Sequence, residues 1–104
     1  MAQMVVIYQT PKDVAAFRRH YFETHIPLAK QLPGLRIYEV SEGPLATPHG
    51  AADFHFVATL QFDDLASIKH AFATPEGQAC TADRQTLAPD PSSFLMLLFD
   101  SREV

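Results

Sequence analysis

The sequence predicts an α+β domain in the order β-α-β-β-α-β. The usual solution of that order is the ferredoxin-like arrangement, a four-stranded antiparallel sheet with both helices on one face. Three observations carry the expectation. Short apolar or alternating runs at Met4 to Tyr8, Leu35 to Val40, Phe54 to Phe62 and Phe94 to Phe99 read as strands. Longer segments with helical spacing, each opened by a capping residue, lie between the first and second runs and between the third and fourth. The first and last runs are apolar on both sides, as expected of strands covered on both faces. With 104 residues, 47% hydrophobic and 19% charged, residues 1–104 form a single globular domain.

Each element has a local reason. Met4 to Tyr8 is β-branched at Val5, Val6 and Ile7 and stops at Thr10-Pro11. The segment Asp13 to Leu35 follows as an amphipathic helix capped by Thr10 or Asp13, interrupted at Pro27 and closed by Pro33-Gly34. Val14, Phe17, Tyr21, Leu28 and Leu32 share one side of it at about 100° per residue, and His25 lies at the edge of that stripe. Pro27 has no N–H for the Glu23 carbonyl, so the helix should kink or restart there. In the second strand Arg36, Tyr38 and Val40 share a face. Ser41 to Ala52, with Gly43, Pro44, Pro48 and Gly50, reads as a loop carrying His49. Phe54, Phe56, Ala58, Leu60 and Phe62 form a core face of the third strand, against a mixed face of His55, Val57, Thr59 and Gln61. Asp63 or Asp64 caps a short helix through Ile68 and Phe72, and Thr74-Pro75-Glu76 starts a second piece reaching Leu87.

Two helices cover only one face of such a sheet. The other face of the first and last strands then needs a partner, and the commonest arrangement is a twofold homodimer with sheets packed face to face. On this reading the mixed face of the third strand, with His55, borders whatever cavity remains.

Composition excludes several functions. A net charge of −4 with no basic cluster beyond Arg18-Arg19 gives no nucleic-acid surface. No apolar run approaches the ~20 residues that span a bilayer, so no membrane partner is expected. The segment MAQMVVIYQT lacks the basic start and cleavage site of a signal peptide, which implies a cytoplasmic protein. A single cysteine, Cys80, allows neither an intrachain disulfide nor a thiolate cluster. Only four glycines and no glycine-rich phosphate loop argue against a self-contained nicotinamide reductase, and no cofactor is expected. Haem would need an axial ligand such as His25 or His55, and nothing in the spacing selects for it. No metal site is expected either. On a regular helix His20 and His25 stand roughly 140° apart and make no metal-binding pair.

Chemistry therefore concentrates on few residues. An inward imidazole at His25, beside a helix break, is either a core histidine held by a hydrogen bond or a general acid/base in a small-ligand pocket. Tyr38 either packs with its hydroxyl at the rim or donates a hydrogen bond to a substrate oxygen. Tyr21, one turn before His25, is explained by core packing and is also placed to orient the imidazole. His49 and His55 are further candidate substrate contacts, and His70 reads as a surface residue. Asp53, Asp63 and Asp64 read as strand-end and capping residues.

The run HY-x3-H-x-PLA from His20 to Ala29, the LPGL turn at Leu32 to Leu35 and the TPEGQ segment at Thr74 to Gln78 together resemble the EthD family, over about Met4 to Phe99. The family takes its name from ethyl tert-butyl ether degradation, and its members are often called EthD family reductases. The resemblance implies a dimeric α+β barrel and proximity in fold to cofactor-free isomerases, cyclases and small quinone-forming monooxygenases. In isomerase-like relatives a histidine of the first helix and a tyrosine of the second strand line the pocket, positions that correspond here to His25 and Tyr38. Where those relatives use a cysteine near the end of the third strand, this chain has Phe62-Asp63-Asp64. The expectation is a small catabolic protein that binds a hydrophobic, oxygen-bearing metabolite. It would act by cofactor-independent isomerisation or oxidoreduction at His25, or serve as a non-catalytic binding or accessory protein of a degradation pathway.

Overall fold

A computed structural model describes residues 1–104. Its elements are β1 (Ala2–Gln9), α1 (Val14–His20), a π-helical turn (Tyr21–His25), α2 (Ile26–Ala29), β2 (Ile37–Val40), β3 (Ala46–Thr47), β4 (Gly50–Ala51), β5 (Phe54–Phe62), α3 (Leu65–Ala73), α4 (Pro75–Leu87), a 3-10 turn (Pro91–Ser93) and β6 (Phe94–Asp100). Strands β2-β5-β1-β6 form one antiparallel sheet, and β3 and β4 form a separate hairpin. The α+β fold, with one four-stranded antiparallel sheet, is the one expected from the sequence. The segment Ser41 to Ala52, expected as plain loop, contains the β3–β4 hairpin. Strands of two residues are too short to show alternation in sequence.

Register decides which side chains meet the helices. Met4 pairs with Leu60 and Leu98, Val6 with Ala58 and Met96, and Tyr8 with Phe56 and Phe94. Residues directly opposite share a face, so these three rows make one apolar stripe under α1, α3 and α4. The core gathers there, with Tyr8, Tyr21, Phe56 and Phe62 almost wholly buried. Phe54, expected on that face, is instead 36% exposed. The pairing slips between Tyr8 and Gln9, so that Gln9 meets Phe54 and His55 occupies a bulge, which turns the start of β5 out of the core.

Helix boundaries follow the caps. Asp13 accepts the Ala16 N–H at 3.0 Å, Asp64 accepts the Ser67 N–H at 2.7 Å and Thr74 accepts the Gly77 N–H at 3.1 Å. Gly34, at φ +81°, makes the turn that ends the first helical segment. Opposite the helices, the sheet presents Val5, Ile7 and Val57 half-buried and Ile37, Leu95, Leu97 and Phe99 exposed.

Candidate functional site

A cavity of about 610 Å³ lies between the sheet and the helices, lined from below by Met4, Val6, Tyr8, Ala58 and Leu60 and from above by residues of the π-helical turn, α2, α3 and α4. Its size falls inside the range of about 300–1,000 Å³ typical of small-molecule sites. The cavity lies on the core face of β5 rather than on its mixed face, which corrects the expectation that His55 and its neighbours border it. The cause is the register: Ala58 and Leu60 point toward the helices and Thr59 and Gln61 point away, while His55 sits in the bulge at the start of β5, outside the cavity lining.

Pro27 governs how the histidines are placed. Without its N–H the Glu23 carbonyl has no partner one α-turn on, and the backbone widens into a π-turn in which the Ile26 N–H reaches back to the Tyr21 carbonyl. A turn closed between residues five apart stacks side chains five apart. His20 and His25 therefore point the same way, and the separation expected for a regular helix does not hold. Both meet one carboxylate from α4: His20 Nε2–H donates to Asp83 Oδ1 at 2.8 Å, and His25 Nδ1–H donates to Asp83 Oδ2 at 2.9 Å. An ionised carboxylate only accepts. Asp83 thus fixes the tautomer of both rings, leaving the lone pair of neutral His25 on Nε2.

Burial and pairing compete in this cluster. His25 is buried, Asp83 nearly so, and His20 reaches solvent. Desolvation pulls the His25 pKa below its ordinary value even though the bonded Asp83 carboxylate raises it. For Asp83 desolvation works upward, but the two histidine hydrogen bonds outweigh it and hold the carboxyl below its usual range. At neutral pH the result is a neutral His25 tied to a charged Asp83.

A second polar pair lies close to His25. The Tyr21 and Tyr38 hydroxyls are 2.6 Å apart, and the Tyr21 ring packs 5.1 Å from the His25 ring. Burial drives both phenols upward, Tyr38 to about 12 and Tyr21 further, so both keep their protons. The structure thus brings His25, Tyr38 and Tyr21 together on one cavity, joined by Cys80 and Arg84 of α4. Burial also raises the Cys80 thiol to about 11, which keeps it protonated.

The remaining sequence candidates lie elsewhere. His49 is exposed in the β3–β4 turn, and its backbone N–H donates to Thr47 Oγ1. His55 packs 5.9 Å from the Phe17 ring and lines a smaller cavity of about 400 Å³ with Thr10, Arg18 and Leu45; its Nε2 has no protein partner. Asp63 pairs with Arg36 and Asp64 caps α3. No group of three or more histidine, cysteine or acidic side chains is arranged to hold a metal ion, and no helix is long and apolar enough to cross a membrane. Asp83 and Arg84 were absent from the sequence reading. The signal for them was present in Cys80, Asp83, Arg84 and Leu87, spaced as i, i+3, i+4 and i+7, which puts two charged residues on the inward stripe of α4.

Comparison with known proteins agrees with this architecture. The EthD domain model matches residues 9–91. A Rhodococcus erythropolis protein, described as an uncharacterized 11.0 kDa protein in the thcB-thcC intergenic region, is 31% identical over 103 residues, covering 99% of this chain and 96% of its own. The crystal structure of an ethyl tert-butyl ether d (ethd) family protein from Bacillus halodurans superposes with a TM-score of 0.87 at 30% identity, covering 98% of this chain and 99% of that one. SnoaB from Streptomyces nogalater, described as a cofactor-independent oxygenase, shares the fold with a TM-score of 0.68 at 18% identity, over 99% and 94% of the two chains. With the family model spanning most of the chain and a solved family member matching end to end, this protein belongs to the EthD family.

Proposed function

We propose that the protein is a small catabolic enzyme that moves a proton on an apolar, oxygen-bearing metabolite, with His25 as general base and Tyr38 as hydrogen-bond donor. The observation that carries this reading is the Asp83 carboxylate: by binding the Nδ1–H of His25 it leaves the Nε2 lone pair as the only ring position free for a ligand. In the step envisaged, Nε2 takes a proton from the carbon next to a carbonyl. The C–H electron pair moves into the carbonyl, and the resulting enolate oxygen accepts the Tyr38 O–H. Return of the proton to the same carbon gives exchange, and return to a conjugated carbon gives an isomer, so no oxidant or reductant enters. In this step Tyr21 donates to the Tyr38 oxygen, one of the two directions open to the pair, which leaves the Tyr38 proton for the ligand. Such positioned acid/base groups contribute about 10²–10⁴-fold to rate. Asp83 is a positioning residue, since it reaches the ligand only through His25. We also propose that two chains pair through the apolar sheet face opposite the cavity.

The test is hydrogen–deuterium exchange of 2-tetralone, an apolar ketone with acidic C–H bonds, followed by proton NMR in deuterated buffer. The protein should accelerate exchange, His25→Phe should abolish the acceleration, and Tyr38→Phe should lower it by about 10-fold or more. Exchange as fast with His25→Phe as with the natural chain would rule out the assigned base.

A further inference from the structure

We propose that the natural ligand is a carboxylate, an apolar molecule with one anionic end that pairs with Arg84; this deepens the pocket reading above and rests on it. Arg84 projects from α4 into the cavity wall and is only half-exposed. Its guanidinium lies over the Phe94 ring at 4.2 Å from the centroid, and its Nη1–H donates to the Ala88 carbonyl at 3.1 Å. Those two contacts hold the fork in place while leaving its charge uncompensated. The ion pairs of the molecule are His20–Asp83, His25–Asp83 and Arg36–Asp63, and none includes Arg84. Its sequence neighbour Asp83 has both oxygens committed to the histidines.

The rest of the cavity has the same polarity. No aspartate or glutamate lines it, and a second cation, Lys69 of α3, stands on its wall. The remaining polar side chains there are the His25 imidazole and neutral hydroxyl or thiol groups, among them Tyr38, Cys80 and Thr81. A partly desolvated cation without a counter-charge is costly, and a planar guanidinium held on an aromatic ring presents its free N–H edge in the geometry that matches a carboxylate. An anionic ligand end supplies the missing charge, and its apolar body fills the aliphatic floor formed by Met4, Val6 and Leu60.

Isothermal titration with 1-naphthoate and 1-naphthamide separates charge from shape, since the two differ little in size. The natural chain should bind naphthoate at least about 10-fold more tightly than naphthamide, and added salt should reduce that preference. In Arg84→Met, which keeps an apolar stem against Phe94, naphthoate affinity should fall to the naphthamide level while naphthamide binding holds. Arg84→Lys, which retains charge without the fork, should keep part of the preference; should the methionine variant fail to fold, this variant and the natural chain suffice. Equal binding of the two probes overturns the carboxylate proposal and leaves the pocket intact. A full preference retained in Arg84→Met overturns the assignment to Arg84. Binding of neither probe overturns the pocket reading together with the proposal.

Discussion

At the residue scale the determining contact is Asp83 with two histidines. Asp83→Asn leaves one amide oxygen to accept where two ring N–H groups donate, and its NH2 faces the other ring, so one histidine must change tautomer or lose its bond. Nitrogen-15 NMR of the imidazoles should show loss of the fixed Nδ1–H form of His25, with a stability cost of about 1–3 kcal/mol. The same cluster sets a pH dependence. His25 titrates below its ordinary 6.5 in the folded chain, so under acid the unfolded chain takes up a proton that the folded one resists. Stability should fall as pH drops below about 6.5. The depressed carboxylates, Asp83, Asp63, Asp64 and Asp90, add losses only below their ordinary 3.8. The melting temperature measured between about pH 7.5 and about pH 5 therefore reads His25 apart from those carboxylates, and His25→Gln should flatten the dependence there. The inward placement of His25 was legible because helical spacing fixes which residues share a side. Its partner was not, since Asp83 lies 58 residues on and only tertiary packing brings α4 to that turn.

At the element scale, interruptions in the helices matter more than their regular stretches. The break at Pro27 was legible from the missing N–H, but its form was not. A 3.6-residue period presumes α geometry, and it was the wider π-turn that aligned His20 with His25. The junction of α3 and α4 has a comparable constraint at Gly77. A Cβ there would overlap the Ala71 carbonyl oxygen and Phe72 Cα, both backbone atoms that move only with the helix. In an open helix, replacing glycine by alanine gains about 1 kcal/mol. Here the overlap should reverse the sign, and Gly77→Ala should lower stability by about 1–3 kcal/mol in urea unfolding. Because α4 carries both Asp83 and Arg84, the same variant should also disturb the His25 imidazole signals, which an exposed glycine replacement would leave unchanged.

At the scale of the whole molecule the sheet has two unequal faces. One is closed by the helices around the cavity. The other carries Leu95, Leu97 and Phe99 of β6 and Ile37 of β2 in the open, continued inward by Val5, Ile7 and Val57. Apolar runs on both sides of β1 and β6 were visible in the sequence, and the register now places the surplus on one face. Leu95, Ile7 and Val57 share a row there and Leu97 lies beside Val5, while Gln3 and Gln61 separate Phe99 from Ile37. Exposed contiguous apolar surface of this kind marks an interaction site, and a self-complementary twofold contact between two such sheets is the economical way to cover it. Leu97 pairs with Val5 near the middle of that surface and is 45% exposed, so a charge there disturbs the isolated fold little. Sedimentation equilibrium should give twice the chain mass for the natural protein and the single-chain mass for Leu97→Glu, with an unchanged far-ultraviolet circular dichroism spectrum. A natural protein that sediments as one chain at tens of micromolar would refute the pairing. Because the cavity opens on the opposite side of the sheet, a monomeric Leu97→Glu chain should still bind naphthoate, separating what the assembly does from what the pocket does.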